Sequence, residues 1–125
     1  MTKYINIVKK VWGEERWIRN DEMYCIKELV IKPDYQTSIH YHKKKTETFY
    51  IVHGIAGIEI FENDGTSKTH IIAIGKGSTR TLHIERGVKH RIIGVTAEET
   101  LLLECSTQHF EDDSYRESKS GKRVI

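Results

Sequence analysis

Two histidines and a glutamate stand at a spacing that would let them bind one metal ion. His40 and His42 flank a single residue, Glu47 follows five positions later, and Gly54 completes a pattern of the form H-x-H-x4-E-x6-G. Successive residues of a strand point to opposite faces, so the two imidazoles project from one face, about 6–7 Å apart. A short turn then places Glu47 on the same side of the next strand. Two imidazole nitrogens and a carboxylate can therefore converge on one divalent ion.

The composition of the chain argues against a chance match. Seven His, 13 Glu and nine Gly occur among 125 residues. At those frequencies roughly 0.003 matches to the pattern are expected at random. The alternative is a surface hairpin with two incidental histidines. The second half of the chain argues against that alternative, because a tight turn at Gly87 delivers a further histidine, His90, onto the start of a new strand.

These residues resemble the first sequence motif of the cupins. That motif reads G-x5-H-x-H-x3,4-E-x6-G, and His40, His42, Glu47 and Gly54 match it, with Asp34 in place of the opening glycine. The resemblance implies an all-β fold, the cupin-type jelly-roll barrel, which has eight strands.

The second cupin motif, G-x5-P-x-G-x2-H-x3-N, is matched by Gly87 and His90. Glu85 replaces its proline and Gly94 stands where asparagine is usual. These departures affect the turn and not the ligands. The resemblance therefore implies that one divalent metal ion is bound by His40, His42, Glu47 and His90.

The metal and the reaction stay open at this point. Three imidazoles and a carboxylate suit Zn, Fe, Mn, Ni or Co. Four protein ligands on an octahedral ion leave two adjacent positions for water, substrate oxygens or dioxygen. An isomerase would use the ion as a Lewis acid while a base moves a proton between neighbouring carbons. An iron-dependent dioxygenase and a non-enzymatic sugar-binding cupin are the alternatives.

A narrower resemblance favours a small carbohydrate derivative as the ligand. Short segments along most of the chain look like the cupin domain of bacterial type II mannose-6-phosphate isomerases. They are residues 8–15, 24–27, 38–42, 104–107, 112–116 and 121–123. Val11 replaces the proline before Trp12, and His40 stands where the isomerase motif has glutamine. The resemblance implies activity on a sugar or sugar phosphate, with a sugar-phosphate isomerase as the leading hypothesis.

Two further residues are candidates for catalysis. Lys27 lies inside an apolar strand, where a lysine is costly to bury without a partner. If it faces the cavity, it can pair with Glu47 or with a substrate anion; the alternative is an exposed strand lysine. His83, seven residues before His90, is a candidate acid–base residue at the barrel mouth. The other histidines, His53, His70 and His109, are interpreted as structural or exposed, and the lysines at 43–45 as a solvated turn.

The elements that must position these residues are short strands. Eight strand-like runs, separated by turn signals, predict a sandwich or barrel. They cover residues 23–31, 38–42, 47–52, 55–61, 69–74, 80–84, 90–94 and 100–106. Residues 1–20 are expected to add one edge strand, with Trp12 and Trp17 over the rim. The polar residues 112–125 are expected to form a loop or frayed end, or to clasp a neighbouring subunit.

Length and charge fit one domain that binds a small molecule. The 125 residues predict a single domain, 1–125, with its core at about 20–108. A net charge of +2 gives no indication of a nucleic-acid partner. The sequence has no long apolar run and no signal-peptide core, which predicts a cytoplasmic protein without a membrane partner. Cys25 and Cys105 are expected to be buried free thiols, and the exposed edges predict a homodimer.

Overall fold

The computed structural model describes residues 4–123, which form thirteen β-strands and one short 3-10 helix. The helix spans Glu111–Asp113. The strands are β1 (Asn6–Lys10), β2 (Gly13–Asn20), β3 (Cys25–Ile31), β4 (Tyr35–Gln36), β5 (His40–Tyr41), β6 (Glu47–His53), β7 (Ile55–Phe61), β8 (Ser67–Ala73), β9 (Thr81–Ile84), β10 (Lys89–Gly94), β11 (Thr100–Ser106), β12 (Tyr115–Arg116) and β13 (Gly121–Lys122).

The strands form two antiparallel sheets. The first sheet has the order β1-β2-β3-β11-β6-β9. In the second sheet β10 is the central strand: it pairs with β7 on one side and with the short strands β4 and β5 on the other. β8 extends this sheet beyond β7, while β12 and β13 pair with β5 and β4. Strands distant in sequence therefore become neighbours at the site described below.

The core lies between the two sheets. In β6 the residues Glu47, Phe49 and Ile51 are buried, while the intervening Thr48 and Tyr50 are only partly buried, as period-2 alternation requires. Full burial of an apolar side chain stabilises the fold by about 1.5–3 kcal/mol. The buried apolar cluster draws on both sheets and comprises Trp12, Leu29, Ile31, Phe49, Ile51, Ala56, Ile58, Ile72, Ile84, Ile92 and Leu102.

The prediction of an all-β jelly roll is confirmed. All eight predicted strand runs occur, and their ends agree with the observed strands within two residues. Among residues 4–123 the two sheets pack face to face as a sandwich and do not close into one hydrogen-bonded barrel. Within the same residues, no helix is long and apolar enough to cross a membrane. Cys25 is buried, Cys105 is partly buried, and both are free thiols.

The two ends of the described chain differ from the expectation. The N-terminal residues supply two strands, β1 and β2, and not one. Trp12 belongs to the core cluster, and Trp17 is also buried. The C-terminal residues up to 123 are not frayed, because the 3-10 helix, β12 and β13 fold back onto the second sheet. Hydrogen bonding to β4 and β5 stabilises a polar segment that carries no strand pattern of its own.

Asp34 stands where the first cupin motif has its opening glycine, and its backbone adopts a conformation that glycine favours. It has a left-handed backbone with φ of 63°, and its N–H donates to the carbonyl of Gly94 at 3.2 Å. Glycine adopts this conformation without strain, and Asp and Asn tolerate it better than other residues do. This turn leads from β3 to β4, and β4 pairs with β10.

Candidate metal centre

The four predicted ligand side chains come together where the two sheets meet. His40 is the first residue of β5, His42 follows that strand directly, and His90 is the second residue of β10. Within the second sheet, His40 and His90 are paired across β5 and β10. Glu47 begins β6 in the first sheet and reaches the same point. One ligand atom from each residue lies within 4.8 Å of the others, a separation that one metal ion can bridge.

Hydrogen bonds to backbone carbonyls fix the tautomer of all three histidines. The Nδ1–H of His40 donates to the carbonyl of Ser38 at 2.8 Å, and that of His90 donates to Val88 at 2.9 Å. The Nδ1–H of His42 donates to the carbonyl of Asp113 at 2.8 Å. A carbonyl oxygen can only accept, so each Nδ1 carries the proton and each Nε2 keeps a lone pair. Outer contacts of this kind orient metal-binding histidines.

Two acceptor atoms face each other in the centre of the cluster. Glu47 Oε1 lies 2.9 Å from His90 Nε2 and 3.5 Å from His42 Nε2. Both Glu47 Oε1 and His90 Nε2 are buried and find no hydrogen-bond partner among residues 4–123. An unpaired polar atom in a protein interior is costly, and two facing lone pairs also repel each other. A divalent cation between them would satisfy both atoms, so the residues present fit a metal ion.

Electrostatics favours the metal-binding forms of His40 and Glu47. Burial and then the neighbouring His90 lower the pKa of His40 to about 3, so its ring is neutral near pH 7. Burial opposes ionisation of Glu47, but the positive charge of Lys45 favours the carboxylate, and the pKa of Glu47 lies well below its usual value. Burial disfavours the charged form of the His90 ring, while the negative charge of Glu47 raises the pKa of His90. Glu47 is thus a carboxylate that attracts a cation.

The cluster opens into a cavity of about 660 Å³. One part of its wall is apolar, and another is formed by residues of the C-terminal segment. Further lining residues are charged or polar and come from the first sheet and the turn before β6. The lining includes Trp12, Leu29, Phe49 and Ile92, then Lys27, Lys45, Glu15, Glu104 and His109, and then Ser114, Arg116, Ser118, Lys119 and Ser120.

Lys27 faces this cavity and is not an exposed strand lysine. Its residue exposure is only 1%. The ammonium nitrogen donates to His109 Nδ1 at 3.3 Å, lies 4.0 Å from the centre of the Trp17 ring, and is 3.9 Å from Glu15 Oε1. The pairing with Glu47 that was considered above does not occur, since Lys45 takes that position.

Lys45 and Glu104 form a buried ion pair that sequence reasoning missed. The ammonium nitrogen of Lys45 lies 3.0 Å from Glu104 Oε2 and 3.6 Å from Glu47 Oε2. Burial opposes its charge, but Glu104 and Glu47 raise the pKa of Lys45. The signal for Glu104 was its inward parity in an apolar strand. Lys45 had no such signal, because it stands in a run of three lysines that reads as a solvated turn.

His109 lines the cavity and is a structural residue rather than an exposed one. Its Nδ1 accepts hydrogen bonds from the ammonium groups of both Lys27 and Lys45, each at 3.3 Å. Burial first, and then the charges of these two lysines, lower its pKa to about 3. The ring is therefore a neutral acceptor that holds the two lysines side by side.

His83 lies on the outer face of the first sheet and not at the cavity mouth. It is paired with Thr48 across β6 and β9, and Thr48 points away from the Glu47 face. The His83 side chain is 48% exposed and interacts with Thr48 Oγ1 at 2.8 Å and with Glu85 at 3.1 Å. Its strand parity excludes contact with a ligand in the cavity.

Residues 2–113 match the family described as mannose-6-phosphate isomerase C-terminal. The chain belongs to this family. The match confirms the prediction that this chain resembles the cupin domain of the type II mannose-6-phosphate isomerases. No curated protein matches the sequence.

Solved structures with the same fold include two other cupins. The capsular polysaccharide assembling protein CapF from Staphylococcus aureus aligns with a TM-score of 0.77 and 15% identity, over 94% of this chain and 32% of its own. Oxalate decarboxylase from Bacillus subtilis at pH 4.6 aligns with a TM-score of 0.73 and 19% identity, over 90% of this chain and 30% of its own. The chain thus spans about a third of these proteins, and the likeness shows the fold alone.

Proposed function

We propose that this cupin is a metal-dependent enzyme that isomerises a small sugar phosphate. The observation that carries the proposal is the convergence of three Nε2 atoms and one carboxylate within 4.8 Å at a cavity. Membership of the mannose-6-phosphate isomerase C-terminal family supports a sugar phosphate as the ligand. The cavity volume of about 660 Å³ falls in the range of small-molecule sites.

The donor set suits a metal with open coordination positions. His40, His42, His90 and Glu47 would hold the ion, because their free donor atoms all face one point. Three imidazoles with one carboxylate suit Zn, Fe, Mn, Ni or Co. A divalent ion bound there would supply Lewis-acid polarisation of the substrate carbonyl.

Lys27 is the residue we assign to the negative charge of the substrate. Its ammonium group is buried in the cavity wall, and its nearest carboxylate oxygen is 3.9 Å away. Lys45, in contrast, is neutralised by two carboxylates. A phosphate or an oxyanion would therefore form a charge-assisted hydrogen bond with Lys27 more readily than with Lys45.

Proton transfer between neighbouring carbons requires a base, and Glu15 is our candidate. It lines the cavity beside Lys27, and its Oε1 accepts a hydrogen bond from the indole N–H of Trp17 at 3.1 Å. The other lining carboxylates are committed, since Glu104 pairs with Lys45 and Glu47 faces the histidines. In this proposal Oε2 of Glu15 takes the proton from the substrate carbon that carries the hydroxyl and returns it to the neighbouring carbonyl carbon, while the hydroxyl proton passes to the former carbonyl oxygen.

The proposed isomerase should work without oxygen and with several metals. Mannose 6-phosphate and fructose 6-phosphate are the first probes, followed by other aldose and ketose phosphates. We expect interconversion under anaerobic conditions with Zn, Mn or Ni, because isomerisation changes no oxidation state. NMR of the sugar carbons provides the measurement. Turnover that required both iron and oxygen would instead support the dioxygenase, and ligand binding without turnover would support a sugar-binding cupin.

Replacement of Lys27 by methionine should weaken the binding of anionic sugars. The loss of one charge-assisted hydrogen bond costs about 1.5–3 kcal/mol, which is at least a tenfold loss of affinity. Methionine fills similar space, so thermal stability should change little. Calorimetric titration with a sugar phosphate measures the effect, and Lys68→Met, at an exposed position of β8, is the control. Unchanged affinity for every phosphorylated or carboxylated sugar that the parent binds would remove Lys27 from the ligand site.

The homodimer and the cytoplasmic location stay predictions. β1 forms an outer edge of the first sheet, and Ile7 on this strand is 49% exposed. An edge strand with exposed apolar residues can pair with a second chain. This edge is the surface we propose for the homodimer.

A further inference from the structure

The C-terminal segment after β11 folds back over the strand that carries His40. Arg116 in β12 is paired with His40 in β5. The N–H of Glu117 donates to the carbonyl of Ile39 at 2.8 Å, and the N–H of Ile39 donates to Ser118 Oγ at 2.8 Å. β5 is therefore held between β10 and β12. The position of this ligand strand depends on a segment more than 70 residues away in sequence.

Asp113 anchors the same segment to the turn between His42 and Glu47. Its side chain is buried, with a residue exposure of 2%. Oδ1 accepts the backbone N–H of Lys43 at 2.9 Å and of Lys44 at 3.1 Å, while Oδ2 accepts that of Lys45 at 3.1 Å. One carboxylate thus satisfies three consecutive amides, which fixes the conformation of this turn.

The backbone carbonyl of Asp113 is hydrogen-bonded to His42, one of the proposed metal ligands. Its carbonyl oxygen accepts the Nδ1–H of His42 at 2.8 Å. This bond holds the proton on Nδ1 and leaves the Nε2 lone pair toward the ligand cluster. Asp113 therefore orients His42 through its carbonyl and holds the turn before Glu47 through its carboxylate.

We propose that Asp113 is a positioning residue of the metal centre and that the C-terminal segment is an integral part of that centre. This inference rests on the proposed metal site. The Asp113 carboxylate fixes the backbone of residues 43–45. The folded C-terminal segment also places the Asp113 carbonyl oxygen against Nδ1 of His42. Without the carboxylate, three buried or half-buried amides lose their acceptor and the turn rearranges. His42 and Glu47 then lose their mutual geometry, although neither ligand has been changed.

Three variants test the role of Asp113. Asp113→Ala removes the acceptor, and Asp113→Asn keeps the shape but turns an amide NH2 toward one of the three N–H groups. Asp112→Ala is the matched control, since Asp112 is the exposed neighbour. Loss of an outer contact to a metal ligand typically lowers metal affinity about 10–100-fold. We expect a loss of this size for Asp113→Ala, an intermediate loss for Asp113→Asn, and parent affinity for Asp112→Ala.

Two readouts separate positioning from a merely structural role. Zn²⁺ affinity is measured by competition with a chelator, and the visible absorption of bound Co²⁺ reports the ligand geometry. We expect an altered Co²⁺ spectrum for Asp113→Ala even at saturation. In the metal-free protein, the ring ¹⁵N shifts of His42 should report the Nδ1–H tautomer for the parent and a mixture of tautomers for Asp113→Ala. Should Asp113→Ala fail to fold, Asp113→Asn carries both measurements.

The two proposals fail in distinguishable ways. A parent protein that binds neither Zn²⁺ nor Co²⁺ would contradict the metal centre, and with it the metal-positioning role of Asp113. A parent that binds metal, with Asp113→Ala or Asp113→Asn matching it in affinity, Co²⁺ spectrum and His42 tautomer, would overturn the inference about Asp113 alone.

Discussion

Replacement of His40 or His90 by alanine should leave a folded protein that has lost its metal ion. Each change removes one of four donors that converge within 4.8 Å, and neither residue belongs to the apolar cluster between the sheets. Loss of even an outer contact lowers metal affinity about 10–100-fold, so loss of a ligand should lower it at least as much. Metal content after gel filtration is the measurement, and circular dichroism verifies the fold.

The two variants should differ in stability because His90 is more deeply buried than His40. His90 is completely buried, so its removal also leaves a small cavity and lowers stability. His40 is only partly buried, and its alanine variant should unfold close to the parent temperature. His53→Ala is the control, since that side chain is 61% exposed and far along β6 from Glu47. If both ligand variants kept the metal content of the parent, the proposed coordination sphere would be wrong.

Of the single substitutions considered for this protein, Glu104→Leu should lower the free energy of unfolding the most. Within the described part of the chain, the change leaves the buried ammonium of Lys45 with Glu47 as its only nearby carboxylate, at 3.6 Å. Removal of one partner from a buried ion pair costs about 3–5 kcal/mol, because the other charge stays in the interior without compensation. The free energy of unfolding in urea measures the effect. The double variant, Lys45→Met with Glu104→Leu, should recover most of the loss, since it removes both buried charges.

An exposed ion pair provides the matched control. In the pair of His53 with Glu98, both side chains are more than 60% exposed. Exposed pairs contribute about 0–1 kcal/mol, so Glu98→Leu should have little effect on unfolding. A Glu104→Leu variant as stable as Glu98→Leu would contradict the role assigned to the buried pair. A double variant less stable than Glu104→Leu would indicate that Lys45 has a further role, through Glu47 or His109.

The strands of this protein were predictable because their signals are local. In β6 and β7 the apolar residues alternate or cluster within a few positions, and glycine-containing turns end the runs. Even the departure at Asp34 fits, since its backbone conformation is one that Asp tolerates. The short strands β12 and β13 were not predictable. Their pairing partners are β5 and β4, and no pattern within a two-residue strand encodes a partner that far away.

The convergence of the four residues of the candidate metal centre was also predictable from the sequence. His40 and His42 share a face by strand parity, and the turn of four residues delivers Glu47 to the same face. His90 was found through its turn at Gly87 and through the resemblance to the cupins. Strand parity shows which residues share a face with Lys27, but it does not show which face of the sheet lines the cavity. The position of Lys27 was therefore only partly predictable. For His83 the sequence placed the residue in the right strand but on the wrong face.

The surroundings of the metal centre were decided by the tertiary structure. Lys45 stands in a hydrophilic turn, His109 and Asp113 in a polar tail, and none carries a local sign of burial. Lys45 and Asp113 are buried and His109 is partly buried, each against partners more than 55 residues away, such as Glu104 for Lys45 and the backbone amides of 43–45 for Asp113. A polar side chain can enter the interior where a complementary group compensates its loss of hydration. That complement exists only after distant strands have paired, so the local sequence determined the candidate ligands and the folded chain determined what holds them in place.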